Sequence, residues 1–64
     1  MTLEDQCFHA VVNVQIAHQK QDISEYSHIM KYYNPEVQTF NLILDKIAQA
    51  EAEIMRLENL LNDL

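Results

Sequence analysis

Glycine and tryptophan are absent from this chain of 64 residues, and proline and cysteine each occur once. Without glycine, the sequence has little of the turn chemistry that a sandwich, a barrel or a glycine-rich phosphate loop requires. The single cysteine, Cys7, excludes the internal disulfide by which small secreted domains are often stabilised. These absences favour an all-α protein in a reducing compartment.

Basic side chains are also scarce: four lysines and arginines stand against ten acidic residues, and the formal net charge is −6. That charge opposes a phosphate backbone and an anionic lipid surface. The chain starts with MTLED, which lacks the basic start of a secretory signal, and no apolar run approaches the roughly 20 residues of a membrane span. We therefore expect a cytoplasmic protein that neither binds nucleic acid nor inserts into a membrane.

Candidate catalytic and metal-binding groups are few. His9, His18 and His28 lack the i, i+4 spacing of a helical zinc motif. To act as a nucleophile, Cys7 would need an activating histidine, an orienting third group and a closed pocket, so a small buried hydrophobe is its simpler role. We expect no enzyme activity, small-molecule substrate, cofactor or metal. A domain this small buries only roughly 60% of its unfolded surface, so a protein partner should supply stability.

The second half of the chain has the clearest helical pattern. In Tyr33-Asn34-Pro35-Glu36, Asn34 can cap a helix whose first residue is Pro35, which predicts a turn at residues 33–35 and a helix at residues 35–62. From residue 40 onward, apolar residues repeat every seven positions in two rows. The first row is Phe40, Ile47, Ile54 and Leu61, and the second row is Ile43, Ala50, Leu57 and Leu64.

The first half predicts a helix over residues 3–33 that is apolar on two opposite sides. One side should face the second helix and form with its two rows the core of an antiparallel, coiled-coil-like hairpin. On this side lie Phe8, Val12, Ile16, Ile23, Tyr26 and Met30. Asp22-Ile23-Ser24-Glu25 has the form of a capping box, which leaves open a break of this helix near Asp22.

The other side of the first helix has no partner inside a two-helix hairpin. Because soluble proteins seldom leave an apolar stripe in water without using it, we predict that this stripe binds a protein partner. It consists of Leu3, Cys7, Ala10, Val14 and Ala17. The seven-residue rows of the second helix also permit self-association, and the charged residues beside those rows specify neither a parallel nor an antiparallel pair. Near the turn, Tyr26, Tyr32 and Tyr33 either recognise a partner or close the end of the hairpin.

Several segments carry a resemblance: MTLED at residues 1–5, Asn34-Pro35 at the turn, and LILDKI and QAE at residues 42–47 and 49–51. With the length and the hairpin form, they resemble the small E component of type III secretion needle complexes, a family of cytosolic co-chaperones. The resemblance implies a helical-repeat chaperone as partner, and a heterodimer that holds the needle subunit and prevents its premature polymerisation. The residues alone leave an alternative, a homo-oligomeric helical regulator or inhibitor that acts by helix–helix binding.

Overall fold

The computed structural model describes residues 2–63. It contains two helices, α1 (Leu3–Tyr33) and α2 (Val37–Asn62), and the described residues include no strand. The two helices pack against each other along an elongated body 49 Å in its longest dimension. Because only residues 34–36 join them, the helices run antiparallel. The prediction of an all-α helical hairpin is confirmed.

A capping box fixes the start of α1. The Thr2 hydroxyl accepts a hydrogen bond from the backbone N–H of Asp5 at 3.1 Å, and the Asp5 carboxylate accepts one from the Thr2 N–H at 3.4 Å. These bonds satisfy two donors that a helix N-terminus otherwise leaves without partners. Glu4 and Asp5 also place negative charge at the positive end of the helix dipole.

The break considered near Asp22 does not exist, because α1 is continuous through this residue. Glu25 does not complete a capping box there and accepts a hydrogen bond from the Gln21 side chain one turn earlier, at 3.3 Å. The side of α1 that faces α2 continues through this segment with Gln19, Ile23 and Tyr26, which are all half-buried. A break would have misaligned these contacts and left backbone groups without hydrogen bonds.

The turn is built around Asn34, and the prediction that this residue caps the start of α2 is wrong. Asn34 instead ends α1 in the left-handed conformation, with φ 45° and ψ 60°. Asparagine adopts this conformation at lower cost than most residues and does so here in a chain without glycine. Pro35 then lies in the connection, and α2 begins at Val37 with Glu36 as its N-cap.

The best-packed part of the core lies toward the open end of the hairpin, away from the turn. There Val12 and Ile16 of α1 meet Leu57 of α2, whose side chain is only 1% exposed. The surrounding half-buried residues of this cluster are Ile54, Leu60 and Leu61. Toward the turn, the buried residues are Ile43 and Ala50.

The two heptad rows of α2 differ in burial. The second row supplies all three buried residues of this helix, Ile43, Ala50 and Leu57, whereas Ile47, Ile54 and Leu61 of the first row are half-buried. Leu64, which the pattern adds to the second row, lies outside the described residues. The second row therefore faces α1 most directly.

Two residues predicted for the core are exposed, Phe8 by 41% and Phe40 by 37%. Phe8 and the half-buried His9 lie on opposite sides of the line of Val12 and Ile16, by about 60° and about 40°, and His9 is the more covered of the two. Phe40 lies in the first turn of α2, next to the connection, where Tyr33 at the end of α1 is also exposed. The other predicted residues of α1, Ile23, Tyr26 and Met30, are half-buried.

Candidate helix-binding surface

The outer stripe of α1, which we define as Leu3, Cys7, Ala10, Val14 and Ala17, is exposed along its whole length. Leu3 is 82% exposed and Val14 is 55% exposed. At about 100° per residue, the centre of the stripe lies roughly 160° from the line of Val12 and Ile16. The hairpin therefore leaves these five side chains without a covering helix.

Sequence reasoning missed Val11, which extends the stripe sideways. Val11 is exposed, and with Ala10 and Val14 it lines an open, mainly apolar groove bordered by Gln15 and His18. Val11 belongs neither to the side that packs on α2 nor to the outer stripe as drawn from spacing. The position of Val11 on the helix surface becomes clear only when the side of α1 that faces α2 is known. That side passes through His9 and Val12 and leaves Val11 exposed.

The surface around the outer stripe is free of formal charge from Cys7 to Ala17. Residues 6–19 contain no aspartate, glutamate, lysine or arginine, although the chain as a whole has a net charge of −6. Charged groups on α1 appear only before and after this segment, at Glu4, Asp5 and from Lys20 onward. Covering this surface therefore removes no charged side chain of the segment from water, which would be costly without a partner.

The hairpin also exposes more surface than its mass requires. A compact monomer of 7.5 kDa would expose about 4,250 Å² by the usual scaling with mass. The hairpin exposes 5092 Å². The difference, roughly 850 Å², is close to the 800 Å² or so that one partner contributes to a standard protein interface. The excess arises because a two-helix rod has no third layer, and it is distributed over both helices.

The turn end of the hairpin displays aromatic side chains to solvent. Tyr33 is 73% exposed, and Tyr32 is also exposed. The Tyr32 ring lies 4.3 Å from the His28 ring, and the ammonium of Lys31 lies 5.6 Å from the Tyr32 ring centre. Of the two roles considered for the tyrosines, closure of the hairpin end therefore does not apply to Tyr32 and Tyr33, whereas Tyr26 is half-buried between the helices.

The histidines and the cysteine are dispersed. Within residues 2–63, no group of three or more His, Cys, Asp or Glu side chains is placed to hold a metal ion. His9 is half-buried against α2, and its Nε2 atom is buried with no hydrogen-bond partner among the described residues. Cys7 is exposed in the hairpin, contrary to its predicted role as a buried hydrophobe, and is covered only if the outer stripe is covered.

The polar side of α2 carries an ion pair between Glu53 and Arg56. The Arg56 Nε–H donates to a Glu53 carboxylate oxygen at 3.1 Å, and the Arg56 Nη2 contacts the other oxygen. The hydrogen bond from Arg56 lowers the pKa of the Glu53 carboxyl, and the same bond raises the pKa of the Arg56 guanidinium. The pair lies at the surface and lines the groove that Gln15, His18 and Gln19 border on α1.

Neither helix of the described chain combines the length and the apolar character needed to cross a bilayer. Comparison of the chain with protein-family models, with curated proteins and with solved structures finds no match. The candidate surface therefore rests on the residues of this chain alone.

Proposed function

We propose that this chain is a small cytoplasmic co-chaperone, without enzymatic activity, that binds a helical-repeat chaperone through the outer stripe of α1. In this proposal the heterodimer helps to keep a secretion needle subunit unpolymerised. The resemblance to the needle complex E component supplies the identity of the partners. The outer stripe, which is apolar and exposed and lies, except for Leu3, in a segment without formal charge, is the observation that supports a protein-binding role.

The spacing of the stripe favours a helix as the binding element. From Leu3 to Ala17 the intervals are four, three, four and three residues, which is the spacing of a helix–helix seam. The small side chains of Ala10 and Ala17 permit close approach of a second backbone. Each Å² of apolar surface covered contributes roughly 25 cal/mol toward association, against the entropy that two molecules lose when they associate. Helical repeats present such helices in series.

Val14→Glu tests this role of the stripe. Because Val14 points away from α2, the variant should remain helical by circular dichroism while it loses capture of the partner, since an unpaired charge would enter the contact. Leu42→Glu is the matched control, because Leu42 on α2 is 56% exposed against 55% for Val14. We expect the control to retain capture. Unchanged capture by Val14→Glu would reject the proposed surface.

The identity of the partner needs a separate experiment. The tagged chain would be purified from the cytosol of its own organism, and the co-purifying proteins would be identified by mass spectrometry. Recovery of a helical-repeat protein together with a needle-like subunit supports the co-chaperone proposal. Recovery of the chain alone favours a homo-oligomeric regulator.

A further inference from the structure

We propose that a second copy of this chain covers the outer stripe when no other partner is bound, with the two α1 helices antiparallel about a twofold axis near Ala10. This inference uses the surface of the proposed function but needs no partner protein. The side chains of the outer stripe and of its flanks favour the antiparallel orientation over the parallel one.

The sizes of the side chains match in this orientation. With the axis near Ala10, Leu3 of one copy lies opposite Ala17 of the other, and Cys7 lies opposite Val14. The largest member of the stripe thus meets a small one, and two copies of Ala10 allow close approach at the centre. A parallel, in-register pair would instead set Leu3 against Leu3 and leave Ala17 against Ala17.

The polar residues beside the stripe are also complementary. In a twofold antiparallel pair each flank meets the same flank of the other copy. One flank brings Glu4 within about one helical turn of His18 of the second copy, and the other brings Gln6 near Asn13. A carboxylate thus meets an imidazole, and an amide meets an amide. Residues 6–19 contribute no like-charge pair, and the acidic residues of the contact, Glu4 and Asp5, lie only at its two ends.

The shape of the hairpin permits this pairing. Because α2 packs on the opposite side of α1, a second copy on the outer stripe would form a row of four helices with the two α2 helices outermost. Each hairpin exposes roughly 850 Å² more than a compact monomer of its mass, an area similar to that which one side of a standard interface buries.

Disulfide trapping distinguishes the orientations. In the antiparallel pair the two Ala10 positions lie level, whereas the two Cys7 positions are offset by about 9 Å along the helix axes, which is too far for a disulfide. We expect the double variant Cys7→Ser/Ala10→Cys to form a covalent dimer under mild oxidation. Its rate should exceed that of the control Cys7→Ser/Ala52→Cys by about tenfold or more, because pairing raises the local thiol concentration. Ala52 is an exposed alanine of α2.

Sedimentation equilibrium supplies the second measurement. The unmodified chain should show twice the 7.5 kDa mass at high concentration, and Val14→Glu should show the single mass while it stays helical. Faster crosslinking through native Cys7 than through the Ala10→Cys variant would show a parallel pair and overturn the proposal. Equal rates for the Ala10→Cys and Ala52→Cys variants would also overturn it. A monomeric chain that still captures a helical-repeat protein would reject the second copy and leave the proposed function intact.

Discussion

The two halves of the hairpin place their apolar side chains differently. In the open half, made of residues 2–19 and 51–63, Val12, Ile16 and Leu57 form a packed cluster while a second apolar stripe on α1 faces solvent. In the turn half, made of residues 20–50, the same stripe continues as Gln21, Ser24, His28 and Lys31, which are polar and exposed. The uncovered aliphatic stripe of α1 therefore lies in the open half, whereas the turn half of α1 exposes the aromatic rings of Tyr32 and Tyr33.

This difference indicates a division of roles along one helix. In the turn half, α1 has one apolar side and packs only on α2, as an ordinary amphipathic helix does. In the open half it has two apolar sides and no formal charge from residue 6 to residue 19, so it can pack between two neighbours. A helix that is apolar on both sides belongs in the middle of a bundle, which the hairpin alone does not provide.

The largest expected effect is a loss of stability when a core side chain is truncated, and it should be greater in the open half than in the turn half. Leu57→Ala should destabilise the protein by about 2–5 kcal/mol, because Leu57 is the most buried side chain of the core. Ile47→Ala in the turn half should cost less, since Ile47 is only half-buried. Urea denaturation followed by circular dichroism measures both. A larger loss for Ile47 than for Leu57 would show that the core is centred in the turn half.

The next largest effect is a gain of stability when His9, a polar residue in the core of the open half, is replaced. His9 occupies a position that faces α2, and its buried Nε2 has no hydrogen-bond partner among the described residues. His9→Leu should raise the free energy of unfolding by about 1–3 kcal/mol, the usual penalty of a buried unpaired polar group. His18→Leu is the control, because His18 is exposed and its replacement should change little. Destabilisation by His9→Leu would indicate that the imidazole has a favourable contact after all.

The fold and the existence of the outer stripe could be predicted because both depend on residue spacing. Seven-residue repeats identify α2, and the intervals of three and four residues along α1 identify its two apolar sides. The greater exposure of Phe8 than of His9 does not follow from spacing, because both lie within about 60° of the line of Val12 and Ile16 and spacing favours the large hydrophobe. The capping-box pattern at Asp22 is a local signal. It does not start a helix because the contact between α1 and α2 continues through this segment.

The turn gives a third, smaller effect. Asn34→Ala should cost about 1 kcal/mol, because alanine at φ 45° brings its Cβ close to the following carbonyl. Asn34→Gly should cost little, since glycine adopts this conformation without strain. Thermal unfolding of both variants provides the comparison. If Asn34→Ala and Asn34→Gly were equally stable, the left-handed residue would have to lie elsewhere in the connection.

The smallest effect concerns the Glu53–Arg56 pair on the charged side of α2, in the open half. The pKa of Glu53 is lower in the folded chain than its ordinary value of about 4.3, so the pair stabilises the fold above that pH. This contribution is lost as the pH falls through the pKa of Glu53 in the folded chain, because the carboxyl is then protonated in both the folded and the unfolded chain. Glu53→Gln should therefore lower the melting temperature slightly near neutral pH and leave it unchanged well below the pKa.

The effect should be small because Arg56 is 58% exposed and solvent and salt screen the pair. Glu58→Gln, at an exposed glutamate of the same helix, is the control for the loss of one negative charge. In a chain of net charge −6, removing a negative charge without a specific partner should stabilise slightly by reducing repulsion. The two variants should thus differ in sign near neutral pH and converge in acid. A large loss from Glu53→Gln would mean that charge on α2, and not the packed cluster of the open half, determines its stability.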